Sequence, residues 1–125
     1  MEYEVEVDDE AGWARVTVRG DLRVEQLPEL AVAVWSDPGY AKVDRAIWNF
    51  LQSSSSMRLD DIMRLTNWIS ENKRGRGARI VAIVAAEDGV FGTVRMFEAL
   101  QQQYGWTVGV FRDEAAARDW LRQQP

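Results

Sequence analysis

The chain has 125 residues, with 20 acidic against 15 basic side chains, a net charge of −5, and neither cysteine nor histidine. The missing residue types remove disulfides, thiolate nucleophiles, imidazole bases and nearly all zinc, haem and iron–sulfur chemistry. The acidic balance argues against nucleic-acid or anionic-membrane binding, which needs a basic surface.

The length suits one domain, residues 1–125, around a single core. No apolar run approaches the roughly 20 residues that span a bilayer, and the acidic start is unlike a signal peptide. A cytoplasmic protein without stable membrane insertion is therefore expected. Carboxylates could still hold Mg²⁺ or Ca²⁺, but the acids lack EF-hand spacing. Neither a metal nor a cofactor is expected.

Tyr3 to Asp8 alternates apolar and acidic residues, as in a strand buried on one face. Its carboxylates suit an edge strand that must not recruit another chain, or an acidic docking strip. A turn at Asp9–Gly12 leads to a second alternating strand, Trp13–Gly20, making an antiparallel hairpin. Asp21 to Ser36 reads as helical, with Leu27, Leu30, Ala31 and Val34 on one face. Pro28 belongs in a first turn, so the helix starts near Glu25 to Leu27, and Asp37-Pro38-Gly39 ends it.

Arg45–Leu51 is a nearly continuous apolar strand, expected at the sheet centre with helices on both sides. It runs into a polar loop, Gln52–Arg58, containing Ser53, Ser54, Ser55 and Ser56. A helix follows from Leu59 to about Lys73, burying Ile62, Leu65 and Ile69 with Trp68 at the border. Ser56 is a candidate N-cap or near-cap, and Asp60 and Asp61 sit where the helix dipole favours negative charge. The basic knot Lys73-Arg74-Gly75-Arg76-Gly77 fits a phosphate site, or simply a helix end that wants cations and then glycine.

Arg79–Ala85 is a buried strand, followed by a Glu87-Asp88-Gly89 loop. The next helix, Val90 to Tyr104, carries Val90, Val94, Phe97, Leu100 and Tyr104 on one face and stops at Gly105. Trp106–Phe111 is the last strand. Asp113 caps a final helix packing Ala116, Ala117, Trp120 and Leu121 inward. The order ββαβαβαβα predicts an α/β fold, a five-stranded mostly parallel sheet with an N-terminal antiparallel hairpin and helices packed against it.

In such a sheet the loops at the strand C-termini gather along one edge, the usual place for a site. There the sequence puts the serines together with Glu87, Asp88, Phe91, Gly92, Arg95 and Arg112, a mixed polar and aromatic face for a protein or polar ligand. Arg95 is either a partner contact or one half of a salt bridge with Glu98 or Asp88. Six tryptophans are many for this length. Trp13, Trp48, Trp106 and Trp120 read as core, whereas Trp35, Trp68, Phe91 and Met96 could line a small hydrophobic pocket or a homodimer seam. Enzymatic work would fall to a carboxylate pair (Asp60 and Asp61, or Glu87 and Asp88) or to an activated serine. No lysine lies near the serines in sequence to act as base, so no catalytic residue is assigned.

Several phrases carry a family resemblance: Val16-Thr17-Val18-Arg19-Gly20-Asp21-Leu22, Ala46-Ile47-Trp48-Asn49, Arg79–Val84, Phe91–Glu98, and Val110-Phe111-Arg112-Asp113 with Trp120-Leu121. Over its whole length the chain resembles a STAS-type domain of the SpoIIAA-like (STAS/SEC14) group of small bacterial proteins. The resemblance implies a regulatory, protein-interaction module rather than an enzyme, its partner another protein or a second copy of itself. The SEC14 side of the group implies, as an alternative, a binder of a small hydrophobic or lipid-like ligand. In anti-sigma-factor antagonists a serine after the central strand is phosphorylated by a partner kinase. Counted from Asn49, that position falls at Met57 or Arg58, and Ser56 is the nearest serine. A phosphate beside Asp60 and Asp61 would repel them and alter a partner surface.

Overall fold

The protein is described by a computed structural model covering residues 1–73, 78–101 and 106–125. Five strands, β1 (Glu2–Asp8), β2 (Trp13–Leu22), β3 (Arg45–Ser55), β4 (Ile80–Val84) and β5 (Thr107–Phe111), form one sheet in chain order. The helices are α1 (Leu27–Trp35), α2 (Pro38–Ala41), α3 (Leu59–Asn72), α4 (Asp88–Gln101) and α5 (Glu114–Gln123). β1 pairs with β2 antiparallel and every other neighbour is parallel, as the element order requires. The hairpin turns at Gly12, whose φ of +77° suits a residue without Cβ, and Asp8 closes the turn by accepting from the Ala11 and Gly12 amides at 3.0 and 2.9 Å.

Side-chain alternation divides the sheet into two faces. Ala14, Val16, Val18, Phe50, Val81 and Ile83 point into the larger core with α1, α2, α3 and α4. Trp13, Ile47, Ala82 and Val84 meet Ala117 and Leu121 of α5 on the other side. β3 is thus central and covered on both faces, and each large side chain it buries is worth about 1.5–3 kcal/mol. Among the described residues, no helix is long and apolar enough to cross a membrane.

The elements differ from the sequence reading in four places. β3 continues through Ser53, Ser54 and Ser55, because β2 also continues and pairs Gly20, Asp21 and Leu22 with them. A bulge at Thr17–Arg19 resets the register, and the Asn49 side chain holds it by accepting from the Leu51 amide at 2.9 Å. Asp37 starts a helix as well as following one: its carboxylate accepts from the Gly39 and Tyr40 amides at the head of α2. α4 begins at Asp88, inside the segment read as a loop. Ala116 is exposed, since the buried stripe of α5 runs through Ala117 and Leu121 with Trp120 half-buried beside Phe111. Of the basic knot Lys73–Gly77 only Lys73 is among the described residues; 74–77, and the helix stop at Tyr104 and Gly105, lie outside them.

Candidate functional site

The parallel strands bring the ends of β2, β3, β4 and β5 to one edge of the sheet. The serines sit there in four different environments. Ser53 is buried and donates to the Val18 carbonyl at 2.8 Å. Ser54 is exposed and donates to Asp21 at 3.2 Å. Ser55 is half-buried, 3.1 Å from the Thr93 hydroxyl, which donates to the Gly89 carbonyl at 2.8 Å. Each hydroxyl has one proton, so Ser55 must donate to Thr93, joining the end of β3 to the start of α4. Gly89 permits this approach: a Cβ there would stand 3.1 Å from the Ser55 carbonyl.

Ser56 is exposed and is not the cap of α3, being two residues too early; Arg58 occupies that position. An arginine side chain cannot accept, so the helix start is closed from the other direction. Asp61 accepts from the Arg58 amide at 3.1 Å and pairs with Arg64. The amide hydrogen bond, helped by Arg64, holds the Asp61 carboxyl below its ordinary range. Asp60 stays exposed in the same turn.

Of the residues expected on the neighbouring loops, Asp88, Phe91 and Arg112 come together. Arg112 donates to the Ala86 carbonyl at 2.6 Å and to Asp88 at 3.0 Å, and its guanidinium lies 3.7 Å from the Phe91 ring centroid. Arg95 is not part of this group; it pairs with Glu98 at 2.8 Å on its own helix. Glu87 and Gly92 are exposed. On α3, Leu59 and Met63 stand one turn apart, 54% and 47% exposed, an apolar pair that the sequence reading did not single out. Among the described residues, no group of three or more acids is placed to hold a metal ion.

Beneath this edge, between the sheet and α1, α3 and α4, lies a cavity of about 110 Å³. Leu22 and Met57 line it near the strand ends, Leu30 and Trp35 from α1, Ile62 and Ile69 from α3, and Val94 and Phe97 from α4. Of the four border residues proposed from sequence, Trp35 alone lines it. Trp68 stacks on Trp35 at 5.8 Å, and Trp48 and Trp106, read as core, contribute walls instead. Tyr40 also faces the cavity; its hydroxyl accepts from the Trp48 indole at 3.1 Å, and burial raises its pKa to about 12.

The sequence reading took Lys73 only as the first residue of the basic knot that ends the helix. It follows the last turn of α3, is 3% exposed, and lines the same cavity. Its ammonium donates to the Ala78 carbonyl at 2.6 Å and lies 3.8 Å from the Trp106 ring centroid. Burial, reinforced by Arg79 and opposed by Asp44, lowers its pKa to about 8. In the sequence it was one cation among several at a helix end, and nothing there marks which of them turns inward.

No protein-family model matches the chain, and no curated protein matches it in sequence. Solved structures do match. One is an uncharacterised protein of the DUF3478 family with a SpoIIAA-like fold, from Shewanella loihica PV-4 (TM-score 0.54, 17% identity, covering 96% of this chain and 92% of that one). Another is the anti-sigma factor antagonist SpoIIAA in its unphosphorylated form (TM-score 0.50, 18% identity, covering 99% of each chain). The fold is SpoIIAA-like. The expected STAS/SpoIIAA-like architecture is therefore present from end to end, and at these identities the likeness is one of fold. In this SpoIIAA-like frame, the switch position implied by the family resemblance, Met57 or Arg58, lies in the segment joining β3 to α3.

Proposed function

We propose that the protein is a non-enzymatic regulatory module of STAS type that works in the cytoplasm by docking a protein partner on the edge where the parallel strands end. The carrying observation is the exposed pair Leu59 and Met63 at the start of α3, on the same edge as the exposed hydroxyls of Ser54 and Ser56. Two large apolar side chains one turn apart leave about half of their surface to solvent, and a partner would gain by covering it. A second copy of the chain is one such partner. Within this proposal a phosphate switch falls to Ser54 or Ser56, because the Ser53 hydroxyl is buried and the Ser55 hydroxyl joins β3 to α4.

The state of the acids supports a non-enzymatic reading. Asp60 is solvated, Asp61 is engaged by Arg58 and Arg64, and Asp88 by Arg112, so among the described residues these acids do not converge with a nucleophile, base and orienting group. The test is quantitative affinity purification from the protein's own cells with wild type and the double variant Leu59→Glu, Met63→Glu, both checked for native circular dichroism. A partner retained by wild type and lost from the variant is expected. Identical captured proteins would remove this edge as the docking surface.

The cavity favours a second reading, a binder of a small hydrophobic ligand. Its walls are almost wholly apolar, and its volume of about 110 Å³ is of the order of engineered cavities that take a single small ring.

A further inference from the structure

The walls of that cavity give it a direction. β2 and β3 climb to the strand-end edge, and α1 and α3 descend again beside the sheet. The cavity follows that descent. α1 lines it from Leu27 to Trp35 and α3 from Ile62 to Ile69, about 12 and 10 Å of helix at the usual rise per residue. Leu22 and Met57 stand at the strand-end top, Trp35 and Ile69 at the foot. The volume alone is of the order of cavities that close round a small ring. Drawn out over two turns of helix, about 110 Å³ makes a narrow slot instead.

No polar group in the described wall is left to anchor a ligand there. The Thr93 hydroxyl is engaged with Ser55 and Gly89, and the Tyr40 hydroxyl with Trp48. The Lys73 ammonium is turned to the Ala78 carbonyl and the Trp106 ring. A polar head drawn inside would therefore lose its water without replacement. At the top of the slot it can stay in water, because Leu27 and Met57 are half-buried there, whereas Trp35, Tyr40 and Ile69 below are buried. Methionine is unbranched and adaptable, which suits a wall that moves aside for a chain.

Resting on the reading of the cavity as a binding site, we propose that its ligand is a straight-chain aliphatic amphiphile, the tail threaded down the slot from Met57 toward Ile69 and the head left in water at the strand-end edge. Shape is then what the site selects. A ring with the same number of carbons has to push the walls apart, and packed walls resist that.

Octan-1-ol, cyclooctanol and octanoate are suitable probes, titrated by calorimetry into wild type and Ala31→Leu, whose larger side chain would fill the slot midway along α1. Wild type is expected to bind octan-1-ol about tenfold more tightly than cyclooctanol. Octanoate should bind within about threefold of octan-1-ol, because its carboxylate stays in water. Ala31→Leu should bind none of the three. If wild type binds both alcohols equally, the straight-chain assignment fails and the apolar site stands; if it binds no probe, both fail. Octanoate binding far more weakly than octan-1-ol would place the head inside and contradict the proposal, as would undiminished binding by Ala31→Leu. Should that variant not fold, intermolecular nuclear Overhauser effects in the wild-type octan-1-ol complex decide. They should link the chain's terminal methyl to Ile69 and its hydroxyl-bearing carbon to Met57, and the reverse pairing or contacts at one end alone contradict the assignment.

Discussion

At the scale of single residues, the buried polar groups divide into those with partners and those without. Gln101 is fully buried at the end of α4, and its side-chain amide has no hydrogen-bond partner among the described residues. An unpaired buried amide costs about 1–3 kcal/mol, so Gln101→Met, which keeps the shape and removes the polar atoms, should raise stability by about 1 kcal/mol in urea denaturation. Glu114 is the opposite case. It accepts two hydrogen bonds from Arg15 and reaches Asn49 on the central strand at 3.4 Å. The Arg15 hydrogen bond leads in holding its carboxyl below the ordinary value of 4.5, and the same bond raises the Arg15 value. The folded state therefore binds this proton less tightly than the unfolded chain. Its stabilisation is complete above the unfolded value and is lost as pH falls through the lower folded one. With Glu114 a fifth and Arg15 a third exposed, Glu114→Gln should cost about 1 kcal/mol near pH 7. The gap from wild type should narrow in acid, as read from urea midpoints across the range.

At the scale of elements, the strands and helices that bury a clear stripe were legible, and those set by pairing were not. Arg79–Ala85 and Trp13–Gly20 announce themselves by composition and alternation, and β4 and β2 stand there. The serines carry no such pattern. Ser53 to Ser55 are strand because β2 offers Gly20 to Leu22 as a partner, a non-local fact that local propensity does not contain. α3 shows the same limit at a site. Its charge pattern placed Asp60 and Asp61 in the first turn correctly, but the cap was assigned to a serine by residue type, and Asp61 does that work from inside the helix. Leu59 and Met63 look like stripe residues by identity; their exposure depends on how α3 is rotated against the sheet. The expected loss of a partner from the Leu59→Glu, Met63→Glu variant belongs to this scale, because two changes on one outer helix face should leave the fold's stability within about 1 kcal/mol.

For the whole molecule, a five-stranded mostly parallel sheet with an N-terminal hairpin and helices packed against it follows from the alternation of elements and was legible, whereas the order of the strands in the sheet is given by the structure. The cavity was not. It exists because walls from α1, α3 and α4 meet the sheet without filling the space between them, and a sequence does not display how well three helices close. Aromatic count pointed towards a pocket but chose mostly the wrong walls, since Trp48 and Trp106 line it and Phe91 lies beneath Arg112 instead. The two proposed readings therefore divide by location, the apolar cavity in the interior and the outer edge at the start of α3.

Site-specific photo-crosslinking in the protein's own cells would show whether a partner docks on the edge at the start of α3. A crosslinking residue would replace Met63 on α3 or, as the control on the opposite face, exposed Arg118 on α5. A discrete crosslinked species is expected from position 63 and none of comparable yield from position 118. Equal yields, or a product from position 118 alone, would contradict it.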